Sequence, residues 1–213
     1  MKHNPVLLFD FGGVLVDLDR KRVLQSFAHI GIDISGFLGD YKQSGIFSLL
    51  EQGRISISDF CKELRILCNC PTASDDQIIK AWQSFLVSVP HERLEMLLKA
   101  KQHYSINLLS NTNEVHWDMA KNIFFKYKGK EVTDFFDHIF LSCREGIEKP
   151  APELFEKVVV ELNVPANDII FFDDSEVNCQ AARSCGLQAY IAPAGGEWLK
   201  YFDDYGKLHL PCI

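Results

Sequence analysis

The sequence has no apolar run of the length that a membrane span requires, which is about 20 consecutive residues. Its first apolar stretch, Val6–Val16, is interrupted by Asp10, Gly12 and Gly13. It therefore does not have the form of a signal peptide. From these two absences we expect a cytoplasmic protein.

The sequence also lacks an excess of basic residues. Lysine and arginine number 22 against 29 aspartates and glutamates, and the formal net charge is -7. Nucleic acids and anionic membranes are bound through basic surfaces, so neither is expected as a partner. A small anionic substrate is compatible with this balance, because a few local charges suffice to bind it.

The cysteines form no CxxC pair and have no spacing with histidine that is typical of a zinc site. Their number is odd, and we expect free thiols in a reducing compartment. The seven are Cys61, Cys68, Cys70, Cys143, Cys179, Cys185 and Cys212.

Short apolar runs that end at a polar residue are typical of strands buried on both faces of a parallel sheet. A weaker strand is predicted over Gln188–Ile191. The four clear runs are Val6–Phe9 before Asp10, Ile106–Leu109 before Ser110, His138–Leu141 before Ser142, and Ile169–Phe172 before Asp173.

Helical patterns separate these strands, and the alternation predicts an α/β fold. The architecture we expect is a doubly wound, Rossmann-like parallel sheet with helices on both faces. The predicted helices are His91–His103, Glu114–Lys126, Pro152–Leu162 and Val177–Cys185.

Residues 18–90 interrupt this alternation. They show helical patterns and no convincing strand, so we predict a small all-helical cap inserted after the first strand. Residues 1–17 and 91–213 would then form the core domain. The helices predicted in the cap are Arg20–Ile30, Phe37–Leu50, Ser58–Cys68 and Asp75–Val87.

Chemically active side chains fall where the predicted strands end. Ligands of parallel α/β sheets bind at that edge, which would collect Asp10, Ser110, Asp173 and Asp174, with Lys149 in a neighbouring loop. Carboxylates at this density repel one another unless a cation joins them, and hard oxygen ligands suit Mg²⁺. A carboxylate beside the ion can attack phosphorus and form an aspartyl-phosphate, while the lysine and the serine hydroxyl stabilise the phosphoryl oxygens.

Each of these signals is weak by itself, because an aspartate or serine after a strand is commonly a turn or helix-capping residue. Their order along the chain is specific. In that order the chain resembles the haloacid dehalogenase (HAD) superfamily of phosphohydrolases. The matching segments are FDFGGVL at 9–15, LLSNT at 108–112, GIEKPAPELF at 146–155 and FFDDSEVN at 171–178.

The resemblance spans nearly the whole chain and implies a role for each residue at the strand ends. By it, Asp10 is the nucleophile and a Mg²⁺ ligand, Ser110 and the adjacent Asn111 contact the phosphoryl group, and Lys149 neutralises it. The same resemblance makes Asp174 and Asp173 metal ligands or near neighbours of the metal, together with the main-chain carbonyl of Gly12. The helical stretch takes the place of the family's C1 cap.

The sequence departs from the family at Gly12, where most members have a second aspartate that serves as general acid and base. A bacterial subgroup that includes a glucose-1-phosphate phosphatase also has glycine there, and this chain looks most similar to it. The leaving-group acid is therefore unassigned. Asp17 and Asp19 lie nearby in the sequence, but a solvated turn explains both.

The leading interpretation is a Mg²⁺-dependent phosphatase of a small phosphate ester, with a sugar phosphate favoured. Three alternatives stay open: a non-catalytic phospholigand-binding or protein-interaction member, a 2-haloacid dehalogenase that uses no metal, and a sugar phosphomutase. Paired aspartates argue against the dehalogenase, because they would repel a carboxylate substrate. The oligomeric state is undetermined, and a monomer is compatible with the sequence. Polar or aromatic cap candidates for substrate contact are His29, Tyr41, Lys42, Gln43, Glu51, Gln52, Arg54 and Trp82.

Overall fold

The computed structural model describes residues 4–39 and 43–210, and a five-stranded sheet lies at its centre. In chain order the strands are β1 (Val6–Phe9), β2 (Asp17–Leu18), β3 (Leu86–Ser88), β4 (Ser105–Ser110), β5 (Ile139–Leu141), β6 (Ile169–Asp173) and β7 (Gln188–Ile191). The central sheet has the order β5-β4-β1-β6-β7, and every pairing in it is parallel. The predicted α/β fold class is confirmed.

The central position of β1 creates the binding edge. The chain adds β4 and β5 on one side of β1 and then crosses to add β6 and β7 on the other. In such sheets the crevice for ligands opens at the carboxyl ends of the strands on either side of the reversal. Those ends carry Asp10, Ser110 and Asp173.

Helices cover both faces of this sheet and form the insertion. None of the helices in the described ranges is long and apolar enough to cross a membrane. In chain order they are α1 (Arg20–His29), α2 (Gly45–Glu51), α3 (Ile57–Leu67), α4 (Asp75–Gln83), α5 (His91–Ala100), α6 (Glu114–Met119), α7 (Val132–Phe135), α8 (Ser142–Glu145), α9 (Pro152–Leu162) and α10 (Glu176–Ser184).

The helix boundaries follow local capping chemistry. Ser56 and Ser74 accept hydrogen bonds from main-chain N–H groups in the first turns of α3 and α4, which satisfies donors that a helix start leaves unpaired. Pro152 opens α9, where its missing N–H costs nothing, and Asn163 ends it in the left-handed conformation.

The two faces of the sheet bury separate apolar clusters, because alternate strand residues point in opposite directions. Leu7 and Phe9 of β1 belong to one cluster with α5 and α6, whereas Leu8 belongs to the other with α9 and α10. Each strand of the sheet is thus held from above and below. That rigidity is what fixes the strand-end residues relative to one another.

The insertion differs from the prediction in two places. The expectation of no strand between residues 18 and 90 was wrong, since Leu86–Ser88 pairs antiparallel with Asp17–Leu18. Helix α4 consequently ends at Gln83 instead of Val87. The predicted helix over Phe37–Leu50 begins only at Gly45. Phe37 instead lies in a turn, where its N–H donates to the Ile34 carbonyl.

The helices of the insertion enclose an apolar cluster of their own. Phe47 lies at its centre and contacts the rings of Phe27, Phe60 and Trp82 with centroid distances of 6.3, 4.9 and 4.8 Å. Burying one such ring contributes about 1.5–3 kcal/mol. We propose that residues 18–90 form the cap predicted from the sequence. The six cysteines in the described part of the chain are free thiols; Cys212 lies outside it.

Candidate active site

Asp10 and Asp173 lie side by side because β1 and β6 are in register. Phe9 pairs with Phe172, and the N–H of Asp10 donates to the Phe172 carbonyl at 2.8 Å. Both aspartates are buried. The parallel register therefore brings two residues that are far apart in sequence to one point at the sheet edge.

Lys149 joins the two carboxylates. Its Nζ lies 2.8 Å from Asp10 Oδ1 and 2.6 Å from Asp173 Oδ2, and its side chain is only 1% exposed. Burial by itself lowers the pKa of Lys149, but the two carboxylates outweigh burial and hold that pKa above its usual value. The ammonium is therefore charged and serves as a fixed positive group of the site.

One ammonium does not balance the carboxylates around it. Asp10, Asp173 and Asp174 each offer an oxygen, and these oxygens all lie within 4.8 Å of one another. Burial raises the pKa of Asp10 to about 8, and the charges of Asp173 and Asp174 add to the rise while Lys149 opposes it. Burial and Asp173 likewise raise the pKa of Asp174 to about 6. Such a cluster favours a divalent cation, because the cation relieves the repulsion.

Asp173 has different surroundings from Asp10 and Asp174. Asp173 accepts hydrogen bonds from the N–H of Ser175, from Asn178 Nδ2 and from Lys149. Asp10 and Asp174 line the cavity at the sheet edge, and Asp173 is not among its lining residues. The structure thus favours Asp10 and Asp174 as direct metal ligands, with Asp173 fixing Lys149.

The close approach of Asp174 to the loop after β1 depends on Gly13. A Cβ at this position would lie 2.3 Å from Asp174 Oδ2, a distance that no real contact reaches. Gly13 also has a φ of +76°, which glycine adopts without the strain that other residues incur. A side chain here would push the carboxylate away.

Ser110 is the last residue of β4 and Asn111 follows it, and the two side chains have different roles. The Ser110 hydroxyl is buried and lacks a hydrogen-bond partner among the described residues, as expected of a group that binds a ligand. Asn111 instead brackets Lys149: its Oδ1 accepts from the Lys149 N–H at 2.8 Å, and its Nδ2 donates to the Lys149 carbonyl at 2.9 Å. Asn111 lines the cavity, but its amide already positions the lysine.

Gly12 faces an apolar wall. It lines the cavity together with Leu18, Phe85 and Leu86, and a Cβ on Gly12 would lie 3.3 Å from Leu18 Cδ1. The strand β2 therefore brings a leucine against the position where an acid is absent. The cavity these walls enclose is small, about 80 Å³.

His116, on core helix α6, holds the cap. Its Nε2 lies 2.9 Å from the Trp82 carbonyl, and its ring stacks on the Trp82 indole at a centroid distance of 4.4 Å. Burial lowers the pKa of His116 to about 4, against the raising effect of the Trp82 hydrogen bond. The imidazole is therefore neutral near pH 7 and donates from Nε2 to the cap.

A second contact joins the cap to the loop after β5. The Ser142 hydroxyl lies 2.6 Å from the carbonyl of Glu51, the last residue of α2. Two residues later, Gly53 packs so closely that a Cβ would lie 2.0 Å from the Cys143 carbonyl oxygen. Both cap contacts use main-chain carbonyls as acceptors.

The cap candidates from the sequence separate clearly. Gln43 and Glu51 line the cavity, whereas Trp82 belongs to the core of the cap. Tyr41 and Lys42 lie outside the described residues. His29, Gln52 and Arg54 do not line this cavity.

Asp17 and Asp19 have structural partners. Asp17 pairs with buried Arg93 at 2.7 Å, and Asp19 caps α1 by accepting from the N–H of Arg22. The prediction gives neither residue a catalytic role, and these contacts give each of them a structural role.

Asn178 and His116 are site residues that sequence reasoning missed. Asn178 lies within the FFDDSEVN segment, and its position one turn into the helix after β6 is a usable signal for a contact with Asp173. His116 carries no such signal, because its partner is a main-chain carbonyl 34 positions earlier in the sequence.

Comparison with known proteins gives a consistent result. A family profile described as "haloacid dehalogenase-like hydrolase" matches residues 5–186. A D-ribitol-5-phosphate phosphatase of Bacteroides thetaiotaomicron is 34% identical over 193 residues, which cover 90% of this chain and 93% of the relative.

Two solved structures are similar over almost their whole length. A HAD family enzyme of Bacteroides thetaiotaomicron, in complex with magnesium and inorganic phosphate, is 37% identical with a TM-score of 0.87, over 93% of this chain and 99% of that one. A HAD-like family hydrolase of Porphyromonas gingivalis is 29% identical with a TM-score of 0.84, over 92% of this chain and 94% of that one.

Proposed function

Because this chain belongs to the haloacid dehalogenase-like hydrolase family, we propose that it is a Mg²⁺-dependent phosphatase that hydrolyses a small phosphate monoester. One observation carries the proposal: three carboxylates lie within 4.8 Å of one another around a single buried ammonium. This arrangement is costly without a cation, and it is suited to a dianionic phosphoryl group once a cation is bound.

Asp10, Asp174 and the main-chain carbonyl of Gly12 would hold the metal, with Asp173 beside them. When bound, Mg²⁺ neutralises charge on the carboxylates and on the phosphoryl oxygens and orients the phosphoryl group. The donor set fits this ion, since all of the donors are hard oxygens. A bound metal also explains how buried carboxylates with raised pKa values stay ionised near neutral pH.

Asp10 acts as the nucleophile. One of its carboxylate oxygens forms a bond to phosphorus while the ester P–O bond breaks, so the leaving alkoxide carries the electron pair away and takes up a proton. Water then attacks the aspartyl-phosphate, its P–O bond to Asp10 breaks, and inorganic phosphate and free Asp10 result. Lys149 holds Asp10 at 2.8 Å and offsets the charge that develops on the phosphoryl oxygens.

Ser110 binds the phosphoryl group through its hydroxyl, the buried group that has no partner among the described residues. Position 12 supplies no carboxyl to protonate the leaving group. Esters whose leaving alcohol is a weak base need less of this help. The dehalogenase alternative has a weaker basis, because the uncompensated carboxylates would repel a haloacid.

The small enclosed volume favours a small ester, and a relative matched over 90% of this chain is by name a phosphatase of D-ribitol 5-phosphate. We therefore place the substrate among sugar and polyol phosphates. Small phosphate esters are the expected partners, and the net charge of -7 disfavours binding to nucleic acid.

The test is phosphate release from a panel of sugar phosphates, polyol phosphates and nucleotides, with Mg²⁺ and with EDTA. Asp10→Asn should reduce kcat by about 10⁴-fold or more, as loss of a nucleophile does elsewhere, while Asp204→Asn on the exposed surface should not. EDTA should stop turnover and Mg²⁺ should restore it.

Other outcomes would contradict the proposal. Halide release from 2-chloropropionate without metal would establish a dehalogenase. Measurable binding of the esters with no turnover of any of them would establish a phospholigand-binding protein.

A further inference from the structure

The wall of the cavity opposite the carboxylates is contributed by the cap, and it contains two polar side chains. Gln43 and Glu51 are 8% and 7% exposed and line the cavity beside Leu18, Phe85 and Leu86. Two buried polar groups in an otherwise apolar wall are the usual means by which a ligand pocket sets specificity.

Gln43 is held in place through its main chain. It pairs with Leu38 in an isolated antiparallel bridge, and the Leu38 carbonyl accepts from Arg20 at 2.8 Å. The next residue, Ser44, donates its N–H to the Phe37 carbonyl at 2.9 Å. These main-chain contacts fix the backbone at Gln43 and Ser44.

The side chain of Gln43 is not satisfied in the same way. Its Oε1 is buried and has no hydrogen-bond partner among the described residues. A buried acceptor without a donor is destabilising, so this oxygen is an acceptor site for a ligand. The buried Ser110 hydroxyl, which lines the same cavity, also lacks a partner among the described residues.

Glu51 adds a carboxylate to the cap wall at a defined position. It ends α2, and its carbonyl is fixed to Ser142 of the core at 2.6 Å. The close packing of Gly53 on the Cys143 carbonyl keeps this end of the helix against the core. The main chain at Glu51 is therefore held against the core.

We propose that Gln43 and Glu51 select the alcohol part of the substrate, accepting hydrogen bonds from its hydroxyl groups and excluding a second anionic group. The inference rests on the phosphatase function proposed above. The Gln43 amide oxygen and the Glu51 carboxylate are hydrogen-bond acceptors, and hydroxyls are the donors of polyol and sugar phosphates. A carboxylate or second phosphate at the far end of the substrate would meet Glu51 and be repelled.

The experiment uses three esters of one chain length: ribitol 5-phosphate, n-pentyl phosphate without hydroxyls, and ribonate 5-phosphate with a terminal carboxylate. The variants are Gln43→Met and Glu51→Gln, which keep side-chain length, and Gln52→Met as the matched control that does not line the cavity. Values of kcat/KM are measured with Mg²⁺ for every pair, after thermal melting has shown that each variant is folded.

We expect wild type to prefer ribitol 5-phosphate over both analogues. Gln43→Met should reduce the kcat/KM ratio of ribitol to pentyl phosphate by about tenfold, the effect of about one lost hydrogen bond to a substrate hydroxyl. Glu51→Gln should raise the ratio of ribonate to ribitol phosphate by about tenfold, because it removes the opposing charge. Gln52→Met should leave both ratios unchanged.

Equal kcat/KM values for the three esters in wild type, or ratios unchanged in both folded variants, would overturn this inference and leave the phosphatase function intact. If wild type releases phosphate neither from any of the three esters nor from any ester of the wider panel, the proposed phosphatase function is wrong. Gln43→Ala provides a second test of the same ratio should the methionine variant not fold.

Discussion

The core half and the cap half of the site are built by different interactions. On the core side, charged side chains contact one another directly, as Lys149 does with Asp10 and Asp173. On the cap side, His116 and Ser142 of the core bind main-chain carbonyls of cap residues. A main-chain acceptor is present whatever the side chain, so these two hydrogen bonds do not depend on the side chains at positions 51 and 82. We therefore expect the chemistry to be constrained in the core and selectivity to vary in the cap.

The largest effect is expected at Lys149, on the core side of the site. Lys149→Met leaves buried carboxylates without their ammonium, and breaking such a pair costs about 3–5 kcal/mol. We expect the free energy of unfolding to fall by that amount without Mg²⁺ and to recover in part when Mg²⁺ is added, as measured by urea denaturation. Lys200→Met, which removes an exposed pair with Glu197, should change it by less than about 1 kcal/mol. Equal effects of the two substitutions would show that the buried ammonium does not stabilise the carboxylates around it.

Gly13 provides the next largest effect on the core side. Gly13→Ala would put a Cβ 2.3 Å from Asp174 Oδ2, and displacement of that carboxylate should weaken Mg²⁺ binding about 10- to 100-fold. Titration calorimetry measures this directly. Gly129→Ala is a matched control, since Gly129 has the same φ of +76° and nothing within 4 Å of its Cβ position. Unchanged affinity in Gly13→Ala would mean that Asp174 does not hold the metal.

A corresponding glycine tests the cap side. Gly53→Ala would bring a Cβ within 2.0 Å of the Cys143 carbonyl oxygen and should separate α2 from the core. We expect kcat/KM to fall about tenfold, because the closed cap excludes water from the reaction, while Mg²⁺ affinity stays constant. Gly146→Ala, with a φ of +72° and open space around it, is the control. A loss of Mg²⁺ affinity in Gly53→Ala would show that the two halves are not independent.

His116 gives the smallest effect and a dependence on pH. Its pKa is lowered by burial to about 4 in the folded chain from about 6.5 when unfolded, so only the unfolded state gains the proton as the pH falls from 6.5. The contribution of His116 to the free energy of unfolding is fully present above pH 6.5. It decreases below that pH, by about 1 kcal/mol between pH 6.5 and 5.5. The difference in unfolding free energy between wild type and His116→Gln should shrink by that amount. A difference that stays constant would show that His116 does not stay neutral in the fold.

The core half could be predicted from the sequence because its signals are local. Val6–Phe9 and Gln188–Ile191 are strands with the predicted bounds, since a short apolar run between turn residues has few alternatives to a buried strand. Once the strands are known to be parallel, Asp10, Ser110 and Asp173 must share an edge. Which of these residues bind metal or substrate stays a prediction.

The cap half was harder to predict because its contacts are non-local. Strands β2 and β3 have two and three residues, too few for an alternation pattern, and they are stable only as a pair. The turn at 35–37 contains Phe37, an apolar residue that also suits a helix. The hydrogen bond between His116 and Trp82 depends on how the two halves pack, which no local pattern contains.

The small ribbon of β2 and β3 also bears on how such proteins diversify. Asp17 is paired with Ser88, so the chain departs from the core and returns to it at adjoining points. A segment of any length whose two ends meet could be grafted between these positions without altering the path of the strands that carry Asp10, Ser110 and Asp173. The insertion is therefore suited to exchange between relatives. Under the specificity proposed above, replacing it with a relative's insertion would transfer a preference for one alcohol and leave the catalytic residues of the core in place.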